Sequence, residues 1–307
     1  MRESTFRFED AGSVGIHVFS WLPDGEPKAV VQMAHGMQEH AARYARPAAV
    51  LCEAGYAVYA NDHRGHGRSG PDTDRPGTLG EGGFEAVLQG MHALHEHIGV
   101  THPGLPRFLL GHSWGSFLSQ ASAQRWGGEL AGLILSGSNG RNPLVKPGLL
   151  VAKLVTALRG ADRKAVLLDK LSVGDFNKAF EPGETGKEWL SRDASEVSAY
   201  VDDPLCAQPF PNAFFKEMLR LLVDTWAPAN EARLPKTLPV YVFAGEKDPV
   251  GFQTKGLVPL LERYERMGLG DVTHRFYEGG RHEMFNETNR DEVLADLTAW
   301  LDAHVGE

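Results

Sequence analysis

Short runs of apolar, β-branched residues alternate with longer amphipathic stretches along most of this chain. That rhythm constrains the fold more than any other feature. Strands of a parallel sheet are covered on both faces, so they read as continuous apolar runs, and each needs a long crossover, usually a helix, to reach the next. The runs at 29–34, 56–61, 107–111, 132–136, 240–244 and 274–277 fit such strands. Helical periodicity occupies 41–53, 84–97, 114–126, 254–267 and 290–304. The opening differs: 5–10 and 14–22 flank Ala11-Gly12-Ser13 and read as a hairpin. The pattern predicts an α/β fold with an eight-stranded, mostly parallel sheet flanked by helices.

The rhythm stops between about 137 and 238. No strand pattern appears there, while helical patterns do, as at 149–158 and 213–223, punctuated by prolines 182, 204, 209, 211 and 228. Because the β-α alternation resumes at Val240, residues 138–236 read as a helical cap inserted into a core made of 1–137 and 237–307. Composition narrows the function classes. Lys and Arg total 31 against 40 Asp and Glu, a net charge of −9, which argues against nucleic-acid binding, where clustered cations neutralise phosphate. No apolar run approaches the ~20 residues of a membrane span, and 1–10 carries no apolar signal core. These features lead us to expect a cytoplasmic protein. Cys52 sits in an apolar helical stretch and reads as a buried free thiol rather than half of a disulfide with Cys206.

In open α/β sheets, chemistry gathers at the carboxyl ends of the strands. Four such ends carry reactive residue types. Gly111-His112-Ser113-Trp114-Gly115 fits G-x-S-x-G, a sharp strand-to-helix turn that lifts a serine Oγ above the sheet. Chance alone supplies roughly 0.2 such matches at this glycine and serine content, so the strand-then-helix context carries the weight. His35-Gly36-Met37-Gln38-Glu39-His40 follows the strand at 29–34, where an amide can join the one after the nucleophile in an oxyanion hole. The candidate donors are the backbone N–H groups of Met37 and Trp114. Asp248, in Gly245-Glu246-Lys247-Asp248-Pro249, can orient an imidazole, and His282, in a glycine-rich loop after the last strand, can act as general base. Alone, the Ser113 motif also reads as a Gly-flanked helix start capped by Ser, and the other three read as a turn or a solvated loop. Together, and in this order, they read as a triad.

His92, His95, His97 and His102 lack Cys or Asp partners at ligand spacing and read as a solvated helix face, so no metal is expected. Asp62-His63-Arg64-Gly65-His66-Gly67-Arg68-Ser69-Gly70 reads as a tight structural loop near the site, held by Asp–Arg pairing.

At this point the chain resembles serine hydrolases of the α/β-hydrolase fold, specifically the monoacylglycerol lipase and lysophospholipase-like group. The resemblance runs almost end to end. It rests on His35-Gly36 with Glu39-His40, Arg43-Tyr44, the string from Asp62 to Ser69, Gly111-His112-Ser113, Asp202-Asp203-Pro204-Leu205, Gly245 to Asp248, and His282-Glu283 with Asn286-Glu287. It implies that Ser113, Asp248 and His282, in that chain order, form the triad, and that the insertion caps an acyl pocket. Gln38 stands where the group often has the second glycine of His-Gly-x-Gly. Trp114 and Ser116 depart from its usual Met and following Gly, so Met37 and Trp114 are expected to reshape the pocket.

The expected activity is hydrolysis of a single-acyl glycerolipid, a monoacylglycerol or lysophospholipid, through an acyl-enzyme on Ser113, with no cofactor. A short-chain esterase, thioesterase or acyltransferase on the same triad is the alternative. A non-catalytic binding protein of this fold is a more remote one. In the cap, Leu149, Leu150, Leu154, Val155 and Leu158 form one apolar stripe, and Phe210, Phe214, Phe215, Leu219 and Leu222 another. Both read first as packing on the hydrolase core and, on the functional reading, as a lipid-facing pocket wall. Phe210, Phe214, Leu149 and Leu154 are the candidate pocket residues, and the cap is the candidate surface for transient membrane contact.

Overall fold

The chain begins with a hairpin. β1 (Arg2–Glu9) and β2 (Gly15–Leu22) pair antiparallel along their length. The turn is held by the Asp10 carboxylate, which accepts the amides of Gly12 and Val14 at 2.9 and 3.1 Å, the local bonding that makes Asp a turn former. Six strands follow: β3 (Ala29–Ala34), β4 (Tyr56–Asn61), β5 (Arg107–His112), β6 (Gly132–Ser136), β7 (Val240–Gly245) and β8 (Val272–Tyr277). In this computed structural model, which describes residues 1–70 and 74–306, they form one sheet in the order β1-β2-β4-β3-β5-β6-β7-β8. The pairings from β4 through β8 are parallel, and β2 joins β4 antiparallel. Every residue of β3, β4, β6 and β7 is buried, which explains why these strands read as unbroken apolar runs.

Helices α1 (Ala45–Glu53), α2 (Phe84–Thr101) and α3 (Trp114–Trp126) lie among the first six strands. Between β6 and β7 run α4 (Val145–Arg159), α5 (Val166–Ser172), α6 (Ala194–Asp202), α7 (Asn212–Thr225) and α8 (Pro228–Glu231). α9 (Val258–Arg266) and α10 (Arg290–His304) complete the chain. On one face of the sheet, Leu51 of α1 and Leu297 and Leu301 of α10 pack with Phe108 and Phe243. On the other, Leu88 of α2 and Leu118 of α3 pack with Leu109 and Leu133. Phe214, Phe215 and Leu222 of α7 join that second cluster, so α7 is packed onto α2 and α3 through its own apolar stripe.

β3 has β4 on one side and β5 on the other, and the connections leaving β3 and β5 pass through α1 and α3 on opposite faces. The crevice opened by that divergence lies at the carboxyl ends of β3 and β5, where ligands bind in such sheets. Ala34 and Gly111 are register partners there, so the loop after β3 and the turn after β5 stand side by side.

Two smaller expectations need correction. His95 is buried, with Nδ1 3.3 Å from Gln32 Oε1, and His92 stacks on Trp126 at 4.2 Å, so this pair is not a solvated face. In the loop after β4, Arg64 pairs with Asp10 of the hairpin, while Asp62 accepts the amides of Ala41 and Arg68 at 2.8 Å each. The hairpin's distance in sequence hid that partner. Cys52 and Cys206 are both buried and free. No helix among the described residues is long and apolar enough to cross a membrane.

Candidate active site

Ser113 occupies the turn between β5 and α3 at φ 53°, ψ −122°, a conformation costly for a residue with a side chain and found mainly where the surroundings enforce it. The surroundings here are specific. A Cβ on Gly111 would overlap the Gly115 carbonyl and the Ser119 hydroxyl, and one on Gly115 would overlap the carbonyl oxygens of Ala34 and His35. Both glycines are therefore required by backbone contact rather than by flexibility. The Ser113 amide donates to Ser136 O at 2.9 Å, and the Ser116 hydroxyl to Ser113 O at 2.5 Å, so the turn is held from both sides.

The loop after β3 faces this turn. A Cβ on Gly36 would lie 3.2 Å from Ser113 Cβ. Gln38 adopts φ 60°, and its carbonyl accepts the Tyr200 hydroxyl at 3.1 Å and the Ala207 amide at 3.0 Å. His35 Nε2 accepts the His63 amide at 2.9 Å, so its Nδ1 carries the proton and donates to Gly36 O at 2.7 Å. Among the described residues the amides of Met37 and Trp114 donate to no other group. Trp114 is the first residue of α3, where helical amides have no intrahelical acceptor, and both residues border the cavity that Ser113 faces.

Asp248 and His282 come from the loops after β7 and β8. His282 Nδ1 lies 2.9 Å from Asp248 Oδ1, which also accepts the Val250 amide at 2.9 Å. Both side chains are buried. Gly245 lets the two loops touch, since a Cβ there would overlap the backbone of Gly280. Burial alone would lower the basicity of His282, but the Asp248 carboxylate outweighs it, with Glu283 and Glu39 adding, and holds the imidazole above its ordinary pKa. With Nδ1 engaged, Nε2 is the nitrogen left to the cavity that His282 shares with Ser113. Neighbouring His112 is the opposite case: burial, with His282 beside it, pushes its pKa down to about 4, so it stays neutral.

These groups border a cavity of about 570 Å³. Its walls are largely apolar: Phe117, Leu219, Leu222 and Trp226 on one side, Val145, Gly148 and Val151 of α4 on another, with Trp189, Val250 and Phe252. The four expected pocket residues are not among them. Leu154 is exposed and Leu149 half-buried, and neither lines the cavity. The helix is where its periodicity places it, but the residues of α4 that line the cavity are Val145, Pro147, Gly148 and Val151, about 100° round from the ridge of Leu150, Leu154 and Leu158. Phe210 and Phe214 are buried deeper, packed on each other at 4.6 Å and against the His66 ring. Leu219 and Leu222, from the same expected stripe, do line the cavity. Trp189, whose ring lies tilted 5.0 Å from His282, sits in an aperiodic stretch that offered no sequence signal.

Comparison with known proteins agrees with this architecture. A family model described as serine aminopeptidase, S33 (Hydrolase_4), matches residues 25–289. The chain is 33% identical over 306 residues to a monoacylglycerol lipase of Mycolicibacterium smegmatis, covering 98% of each chain. It is 29% identical to the monoglyceride lipase of Homo sapiens, covering 92% of this chain and 84% of that one. A thermostable carboxyl esterase from Bacillus coagulans, solved in complex with glycerol, superposes with a TM-score of 0.91 at 27% identity, covering all of both chains. The chain belongs to the Hydrolase_4 family and is a serine hydrolase of the α/β-hydrolase fold.

Proposed function

We propose that the enzyme hydrolyses the ester of a single-acyl glycerolipid, a monoacylglycerol or lysophospholipid, through an acyl-enzyme on Ser113. The observation that carries this reading is the apolar cavity of about 570 Å³ that Ser113 and His282 both border, a size suited to one acyl chain and a small polar head. Relatives named for monoacylglycerol hydrolysis support it. Ser113 Oγ attacks the ester carbonyl while His282 Nε2 takes its proton. Asp248 fixes the tautomer and stabilises the imidazolium. The amides of Met37 and Trp114 receive the oxyanion, each such donor being worth about 3 kcal/mol in the transition state. His282 then protonates the leaving alcohol, and water activated by the same imidazole releases the acid.

Initial rates on p-nitrophenyl esters of two to sixteen carbons, alongside monoacylglycerol and lysophosphatidylcholine, test this. Turnover should rise with chain length and extend to the lipids. Turnover confined to two- to four-carbon esters would move the enzyme to small-ester hydrolysis.

Residues 138–236 act in this reading as the cap over the acyl chain and as its contact with lipid aggregates. Leu144, Val151, Leu171 and Phe252 both line the cavity and are exposed at 70, 40, 66 and 44%. Leu150, Leu154 and Leu158 continue the apolar surface outward along α4, as expected where a lipid leaves a membrane for a pocket. The double variant Leu150→Ser/Leu158→Ser should keep its rate on soluble four-carbon esters. It should lose about tenfold on monoacylglycerol in phosphatidylcholine vesicles. Equal rates on vesicles would contradict the surface role.

A further inference from the structure

A buried charged bridge that the chemistry above does not use joins the two loops that carry it. Glu39, at the end of the oxyanion loop, accepts the Gly36 amide at 2.5 Å and the Tyr44 hydroxyl at 2.9 Å on Oε1. Its Oε2 accepts Arg43 Nη1, also at 2.5 Å. The same guanidinium is bidentate to Glu283, Nη1 to Oε1 at 2.8 Å and Nη2 to Oε2 at 2.7 Å. Glu283 directly follows His282, and its Oε2 also accepts the Asn286 amide at 2.8 Å. The Tyr200 ring lies 4.9 Å under the guanidinium, and its hydroxyl reaches Gln38 O. Glu39 and Glu283 are 3 and 6% exposed.

Such a bridge costs desolvation and is a poor general stabiliser, because an apolar substitute often packs as well. Its value lies in geometry: a planar fork that grips two carboxylates fixes their separation and angle, which a lysine cannot do. Here one carboxylate holds the peptide preceding the Met37 amide, and the other is one residue from the base. Resting on the hydrolase reading above, we propose that Arg43 is a positioning residue, which through Glu39 and Glu283 sets the Met37 oxyanion donor in register with His282.

The bridge has a second consequence. It carries two negative charges and one positive, leaving an excess negative charge beside an imidazole that becomes cationic during the reaction. Among the described residues, the charged or titratable groups that act on His282 are Asp248 from the loop after β7, His112 from the end of β5, Glu283 on its own loop and Glu39 from beyond β3. Arg43 offsets the last two through its hydrogen bonds to both. Arg281 is turned away, bonded to the carbonyls of Glu188 and Ser191. Removing a carboxylate or the guanidinium should therefore move the acid limb of kcat/KM in opposite directions.

The test is a pH profile from 5 to 9 on the full-length enzyme with a p-nitrophenyl ester, for Glu283→Gln, Arg43→Met and Arg43→Lys, with thermal melts of each. Glu283→Gln should move the acid limb down by about half a pH unit, and Arg43→Met up by a similar amount. Arg43→Met should also lower kcat about 10- to 100-fold with KM within twofold, because the donor acts in the transition state. Arg43→Lys should recover part of that loss. A purely structural role would lower the melting temperature and leave both limbs in place, and that result overturns the proposal. Should Arg43→Met fail to fold, Glu283→Gln, whose single amide oxygen still accepts one of the two Arg43 hydrogen bonds, decides alone through the direction of its limb. Ser113→Ala in parallel separates the two levels. If it abolishes turnover while the bridge variants keep wild-type kcat and limbs, only the bridge falls. If Ser113→Ala retains turnover, the hydrolase reading and the bridge fall together.

Discussion

Replacing Ser113 with alanine should reduce kcat for ester hydrolysis about 10⁶-fold, leaving the fold and substrate binding in place. The size follows from the site. Without Oγ no acyl-enzyme forms, and His282, whose Nδ1 is committed to Asp248, can only assist direct attack by water. The residual rate over the uncatalysed reaction would come from the Met37 and Trp114 amides and from binding. Because the Ser113 backbone sits at φ 53°, alanine is no better accommodated than serine, and the melting temperature should change little. A large fall in melting temperature would show that the variant lost its fold rather than its nucleophile. Initial rates, melts and equilibrium binding of a non-hydrolysable ether lipid separate these outcomes.

Asp248→Asn should be the second largest effect, about 10⁴-fold in kcat. An asparagine that presents its amide to His282 Nδ1 forces the proton to Nε2, the wrong tautomer for a base. The change also has a pH signature with a definite sign. His282 must be neutral to accept the serine proton, and the Asp248 carboxylate raises its pKa against the lowering effect of burial. The wild-type enzyme should therefore lose activity as pH falls through a limb lying above the ordinary histidine value of about 6.5. Removing the carboxylate charge should shift that limb to lower pH in the residual activity. A limb that stays in place would mean that another group titrates.

The sheet was legible because its inner strands β3, β4, β6 and β7 are buried on both faces and its crossovers are helical, so apolar run and amphipathic stretch mark them. The edge strands β1 and β8 are largely exposed. Strand ends pointed to Ser113, Asp248 and His282 as candidates, since Ser113 follows β5 directly and the other two lie within a few residues of the ends of β7 and β8. The pocket was less legible. A helix stripe such as Leu150, Leu154 and Leu158 shows its period in the sequence, but which face turns inward is set by how α4 meets α7, a tertiary contact with no local signature. The lining instead falls on Gly148 and Val151, and part of it comes from Trp189, in a segment with no period at all. The bridge of Glu39, Arg43 and Glu283 spans 240 residues between its last two members, so only the fold brings its halves together.

The central claim is that Ser113 carries the acyl group. Rapid-quench mass spectrometry of the enzyme with a p-nitrophenyl long-chain ester tests it most directly. The peptide containing Ser113 should gain the mass of one acyl chain within the first turnover and lose it as the acid is released. Turnover with no acylated peptide, or with the label on a different residue, would contradict the account.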